Sequence, residues 1–196
     1  MTTSRRAPAP ADTSAGGVSP DAAAAIRRML WGVRLSQSIS VAASLGVPDL
    51  LAAGPKPVEE LADATGAETT TLYRLLRTLA AADVLHEGDG RTFSLTELGT
   101  ALRTDLPGSV HAQAIVFGRP YMLAAWGNLE HSIRTGQNAF LAQYGEDIWS
   151  WRARQPGEES AFNRAMSASN NGRSIPSRSG RTLSCSPSAF ATRART

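Results

Sequence analysis

Three histidines, two adjacent glutamate pairs and one cysteine are the side chains best suited to acid–base, metal or nucleophilic chemistry in this chain. Their placement assigns them none of it. His86, His111 and His131 lie far apart, and none has a second His, Cys or acid at the short spacing a metal site needs, so each reads as a surface or strand residue. Glu59-Glu60 and Glu158-Glu159 open helical patterns, where negative charge favours the helix macrodipole, and this reading is preferred to paired-carboxylate catalysis. Cys185 stands alone, so it forms no internal disulfide and no multi-cysteine metal site, which fits a reducing compartment. No GxGxxG follows a strand pattern, and a nucleotide-type cofactor has no visible seat. No catalytic, cofactor-binding or metal-ligating residue is assigned.

The elements that would position a site are mostly helical. Residues 1–19, rich in Ala, Pro, Ser and Thr, read as a disordered lead-in. Ser19-Pro20-Asp21 then starts a helix carrying Ile26, Met29, Leu30 and Val33 at helical spacing. Trp31, Leu35 and Ile39 point another way, giving the segment from Pro20 to Leu51 more apolar surface than one core needs. A turn is expected at Gly46, with a short helix from Pro48 to Ala52. Val58, Leu61 and Ala62 face inward from a short helix closed by Gly66, and Leu72, Leu75, Leu76 and Leu79 do so from a helix starting at Thr69. Two strand patterns, Val84 to Glu87 and Thr92 to Leu95, flank the hairpin signal Gly88-Asp89-Gly90, and Thr96 caps a helix through Leu102. Helix, helix and hairpin spell a winged helix.

Further helices are expected from Ser109 to Phe117, from Tyr121 to Arg134 with Met122, Ala125, Trp126, Leu129 and Ile133 as its apolar stripe, and from Glu158 to Ser167. Between them Phe140, Tyr144, Ile148, Trp149 and Trp151 mark a packed region. From about Ser169 the periodicity ends, and residues 169–196 read as a disordered tail.

A winged helix invites a DNA-reading role, but its charge opposes one. Residues 57–103 hold four basic side chains (Arg74, Arg77, Arg91, Arg103) against eight acidic ones, a net of −4 that repels phosphates. The chain's +3 charge and pI near 9.6 come from the end of the chain, where residues 167–196 carry five Arg and no acid. The winged helix therefore reads as a packing and dimerisation module, with a DNA-binding transcriptional regulator and an interaction protein that pairs with longer homologues as alternatives. No window approaches eighteen uninterrupted apolar residues and the N-terminus has no secretory pattern, so a cytoplasmic protein without membrane or nucleic-acid partner is expected.

Several stretches, in order, resemble the class I O-methyltransferases that modify plant phenylpropanoids and bacterial aromatic polyketides. Leu45-Gly46-Val47-Pro48-Asp49-Leu50-Leu51, Val58-Glu59-Glu60-Leu61-Ala62 and Leu72-Tyr73-Arg74-Leu75-Leu76-Arg77 are similar to the family's early helices and winged helix. Phe93-Ser94-Leu95-Thr96 with Gly99 and Leu102 resembles the end of its wing. Trp126-Gly127-Asn128-Leu129, Gly136, Phe140, Tyr144-Gly145, Trp149 and Phe162-Asn163-Arg164-Ala165-Met166 resemble the approach to its catalytic domain. The resemblance implies a homodimer interlocked through the N-terminal helices, S-adenosylmethionine as cofactor of the complete enzyme, and a small aromatic or polyketide hydroxyl as acceptor. It also implies that Phe162 and Met166 line the acceptor pocket. Their spacing of four permits a shared face, though a plain core stripe has the same spacing.

On this reading the fold is mainly α, a helical dimerisation domain containing a winged helix with a small β-hairpin, without the family's α/β domain. Residues 20–107 are the winged-helix dimerisation domain and 108–168 a helical linker toward the catalytic domain. The family's glycine-rich loop, ribose-binding acid and downstream catalytic His have no counterpart here. The shift to Ser and Arg after Met166 predicts a truncated or frameshifted product, changing near Asn170 to Arg173. Such a chain is expected to be inactive alone and to bind no S-adenosylmethionine.

Overall fold

A computed structural model describes residues 17–170, which divide into a short N-terminal unit ending at Arg34 and a larger unit from Leu35 onward. The expected lead-in falls outside the described residues except at its last three positions, and the tail falls outside them beyond Asn170. Among the described residues no helix is long and apolar enough to cross a membrane.

The N-terminal unit holds α1 (Pro20–Leu30) and the first turn of α2 (Gly32–Ser44). Pro20 takes the first helical position, where its missing N–H costs nothing. The single helix expected through Val33 breaks at Trp31, whose N–H closes α1 on Arg27 O at 3.1 Å while its own carbonyl starts α2 by accepting from Arg34 N at 3.0 Å. No residue of α1 is buried, and Met29 and Trp31 are 73% and 63% exposed.

In the larger unit α2 buries Ser40, Ala42 and Ala43 and turns at Gly46, whose φ of 71° suits the residue without a Cβ. The short helix after it, α3 (Val47–Leu50), starts one residue earlier than expected. Leu35 and Ile39, read from sequence as part of a second outward face, instead pack on the main core. A two-residue strand that periodicity did not anticipate, β1 (Lys56–Pro57), leads into α4 (Val58–Thr65). After Gly66 comes α5 (Thr69–Ala80), where Leu72, Leu76 and Leu79 are buried at the expected helical spacing. β2 (Leu85–Gly88) and β3 (Thr92–Leu95) form the hairpin, joined by a 3₁₀ turn at Asp89–Arg91. The antiparallel order is β1-β3-β2, with Lys56 opposite Phe93 and Leu85 opposite Leu95. Phe93, fully buried, meets Tyr73 edge-on at 6.0 Å and ties the wing to α5. α6 (Glu97–Thr100), capped by Thr96, completes the winged helix.

The remaining helices are α7 (His111–Phe117), α8 (Pro120–Gly127), α9 (Leu129–Thr135), α10 (Ala139–Tyr144), α11 (Ile148–Arg154) and α12 (Glu158–Asn170). The helix expected from Tyr121 to Arg134 is thus two, divided at Asn128. Its predicted apolar stripe is largely outward, with Trp126, Leu129 and Ile133 exposed, whereas Tyr121 is the residue α8 buries. The packed region expected around Phe140 is an aromatic cluster: Tyr121 and Trp151 have centroids 4.6 Å apart, and Phe140 stacks on Tyr144 at 4.5 Å. Helical backbone also runs past the expected end at Ser167, to Asn170.

Candidate functional site

Phe162 and Met166 share one face of α12, partly buried against a small core formed with α7 by Val116, Ala161 and Ala165. Ala161 and Ala165 let α12 approach α7 closely, and the larger side chains flank that seam. Trp149 reaches across from α11 and meets Phe162 edge-on, centroids 5.4 Å apart.

The sequence did not single out the most unusual group here. Arg152, in the last turn of α11, is 2% exposed, and its Cζ lies 3.7 Å from the Phe162 ring centroid. Its Nε donates to the Tyr121 hydroxyl at 3.3 Å and its Nη2 to Met122 Sδ at 3.4 Å. Burial raises the Tyr121 hydroxyl above its ordinary pKa, and the nearby Glu158 charge adds to this while Arg152 opposes it. Glu158 Oε1 lies 3.1 Å from Arg119 Nε, near enough to pair in charge though not aimed as a hydrogen bond. One signal for Arg152 was available. It follows Trp149 by three residues, which puts both on one helical face.

Of the three histidines read as surface or strand residues, one is exposed on a strand, and the other two are partly buried on α7 and α9. His86 is exposed on β2, His111 Nδ1 lies 3.1 Å from Leu102 O, and His131 is partly buried with Nε2 unbonded. Among the described residues no three metal-ligating side chains come together. The winged helix presents little free positive charge: Arg77 sits 3.4 Å from Glu87 and Arg91 3.6 Å from Glu59, with the Arg91 guanidinium 4.3 Å above the Tyr73 ring. Arg103 also forks onto Asp105 at 2.6 and 3.0 Å, so three of its four arginines are paired with acids, which removes much of what a phosphate backbone would need.

Comparison with known proteins gives this arrangement its setting. The O-methyltransferase dimerisation domain matches residues 28–105. Phenazine O-methyltransferase PhzM of Lysobacter antibioticus is 39% identical over 139 residues, covering 71% of this chain and 40% of that protein. The mitomycin biosynthesis 6-O-methyltransferase of Streptomyces lavendulae is 37% identical over 142 residues, 72% of this chain and 41% of its own length. Among solved structures, LaPhzM superposes with a TM-score of 0.72 at 37% identity, over 75% of this chain and 44% of that one. The N,N-8-amino-8-demethyl-D-riboflavin dimethyltransferase of Streptomyces davawensis gives 0.68 at 34% identity, over 76% and 44%. The chain therefore spans about 40% of the length of the curated relatives it matches. The winged helix with its wing, and α2 and α3 before it, lie within residues 28–105, the stretch that is similar to the O-methyltransferase dimerisation domain.

Proposed function

We propose that residues 20–107 are the dimerisation domain, and residues 108–168 the helical approach to the catalytic domain, of an S-adenosylmethionine-dependent O-methyltransferase acting on a small aromatic or polyketide hydroxyl. The protein works as a cytoplasmic homodimer without nucleic-acid or membrane partners. The observation that carries the reading is the pairing of Phe162 with Met166 on the α12 face beside α7, in a chain whose relatives are named as methyltransferases of aromatic metabolites. Phe162 and Met166 supply an apolar wall against which an acceptor ring lies, and Trp149 extends it.

The described residues do not fit the cofactor. Their only sheet is three short antiparallel strands, and their two tightest glycines face the chain itself: a Cβ on Gly99 would meet Val84 O at 2.2 Å, and one on Gly118 would meet Ser40 Oγ at 1.8 Å. No backbone cradle for a nucleoside is left at either position, so no catalytic step is derived through S-adenosylmethionine.

Two measurements test the reading. Calorimetric titration of the chain with S-adenosylmethionine is expected to show no micromolar binding, and labelled methyl should not reach a panel of phenols or aromatic amines. Micromolar binding overturns the reading that these residues offer the cofactor no seat. Separately, 2-naphthol should bind the Phe162 face, read by tryptophan fluorescence, and Met166→Ala should weaken it severalfold. An affinity indifferent to that change makes Phe162 and Met166 a core stripe.

A further inference from the structure

Arg152 carries a buried positive charge that its surroundings leave uncompensated. Among the described residues no carboxylate comes within ion-pair distance of it, although seven other ion pairs form. Ring faces surround the guanidinium instead, with Phe162 at 3.7 Å, Tyr121 at 5.4 Å and Trp149 at 5.5 Å from Cζ. Of its hydrogen-bond partners one is a hydroxyl and the other a thioether, a weak acceptor, and neither carries a formal charge. Ring faces and the C-terminal end of a two-turn helix attract a cation, but neither supplies the formal negative charge of an ion-pair partner.

The neighbouring charges do not close the gap. Glu158 is engaged by Arg119 at 3.1 Å, so the cluster holds two cations and one anion. A monoanion beside Arg152 would bring it to neutrality. The planar guanidinium offers the fork that a carboxylate accepts, and the exposed Trp149 marks the side from which a ring can approach.

We propose that Arg152 is a specificity-determining residue, whose guanidinium receives the carboxylate of an aromatic acceptor lying against Phe162 and Trp149. This rests on the reading of the Phe162 face as an acceptor wall. The site thereby selects aromatic acids over neutral rings of the same shape.

The probes are 1-naphthoate and its neutral isostere 1-naphthamide, each titrated into the full chain and followed by tryptophan fluorescence. The expected result is that the carboxylate binds about tenfold tighter, and that Arg152→Leu brings the two to similar affinity while naphthamide binding holds. Equal affinities in the unmodified chain, or a preference that survives Arg152→Leu, overturn the proposal and leave the acceptor wall standing. If neither probe binds, the wall reading fails and the proposal with it. Should the Leu variant lose its helical circular dichroism, the Arg152 Nε–H resonance of the unmodified chain decides. Naphthoate should shift it and naphthamide should not, and identical responses overturn the proposal.

Discussion

Glu68 stands where a helix start usually takes Ser, Thr, Asp or Asn, and its longer side chain still reaches back to cap α5. Its carboxylate accepts from Thr70 N at 2.8 Å, Thr71 N at 2.7 Å and the Thr71 hydroxyl at 2.6 Å. These bonds, the Thr71 hydroxyl foremost, lower its pKa from 4.5 to about 2. The unfolded chain therefore takes up this proton more readily than the folded one. The cap's stabilisation is complete above pH 4.5 and is lost as the pH falls toward 2. Glu68→Ala should lower the melting temperature at neutral pH, and the difference from the unmodified protein should close across that interval. A difference that stays constant would place the effect in helix propensity. Single residues also show what the sequence hides. That Phe162 and Met166 share a helical face was legible through their spacing of four. Arg152 was not, because periodicity treats an arginine as solvent-facing, and its burial depends on α8, α11 and α12 converging.

At the scale of elements, the winged helix was legible because its signals are local: Leu72, Leu76 and Leu79 repeat within α5, and the glycines at 88 and 90 sit in or beside the hairpin turn. The helix breaks were less visible. Both fall beside a glycine, Gly32 after Trp31 and Gly127 before Asn128, and neither glycine has an atom within 4 Å of where a Cβ would stand. Packing does not require them, and what they contribute is a weak point in the helix. β1 escaped because two residues carry no alternation. Gly99 is the opposite case, a glycine that close approach demands. The Thr96 hydroxyl donates to Asp83 O at 2.6 Å and Val84 O at 2.9 Å and accepts from Gly99 N at 3.1 Å, drawing α6 onto the chain entering β2. A Cβ at 99 would sit 2.2 Å from the Val84 carbonyl oxygen. Gly99→Ala should therefore cost about 1–3 kcal/mol, the usual penalty for overpacking. Gly88→Ala, whose nearest neighbour would lie 3.8 Å away, is the control and should change stability far less. Equal losses in denaturant melts would show that the carbonyl contact does not set the cost.

For the whole molecule, the decisive surface is the apolar one on α1 and the start of α2. Ile26, Met29, Leu30, Trp31 and Val33 are all exposed within eight residues, a density that soluble monomers rarely leave uncovered. In a chain with a dimerisation domain, a second copy is the natural cover, and the chain should sediment as a dimer. A competing source of association exists, because Trp126, Ile133 and Trp149 are exposed on the later helices and could drive non-specific aggregation. Leu35 cannot separate the two, since it packs on the main core and a charge there would disturb the fold itself. Met29→Glu and Trp31→Glu are cleaner, at 73% and 63% exposure, and Ile133→Glu, at 77%, probes the other surface. Sedimentation velocity should show folded monomers for the first two with helical content unchanged, and an intact dimer for the third. If instead Ile133→Glu alone yields monomers, association runs through the later helices and α1 is not the interface.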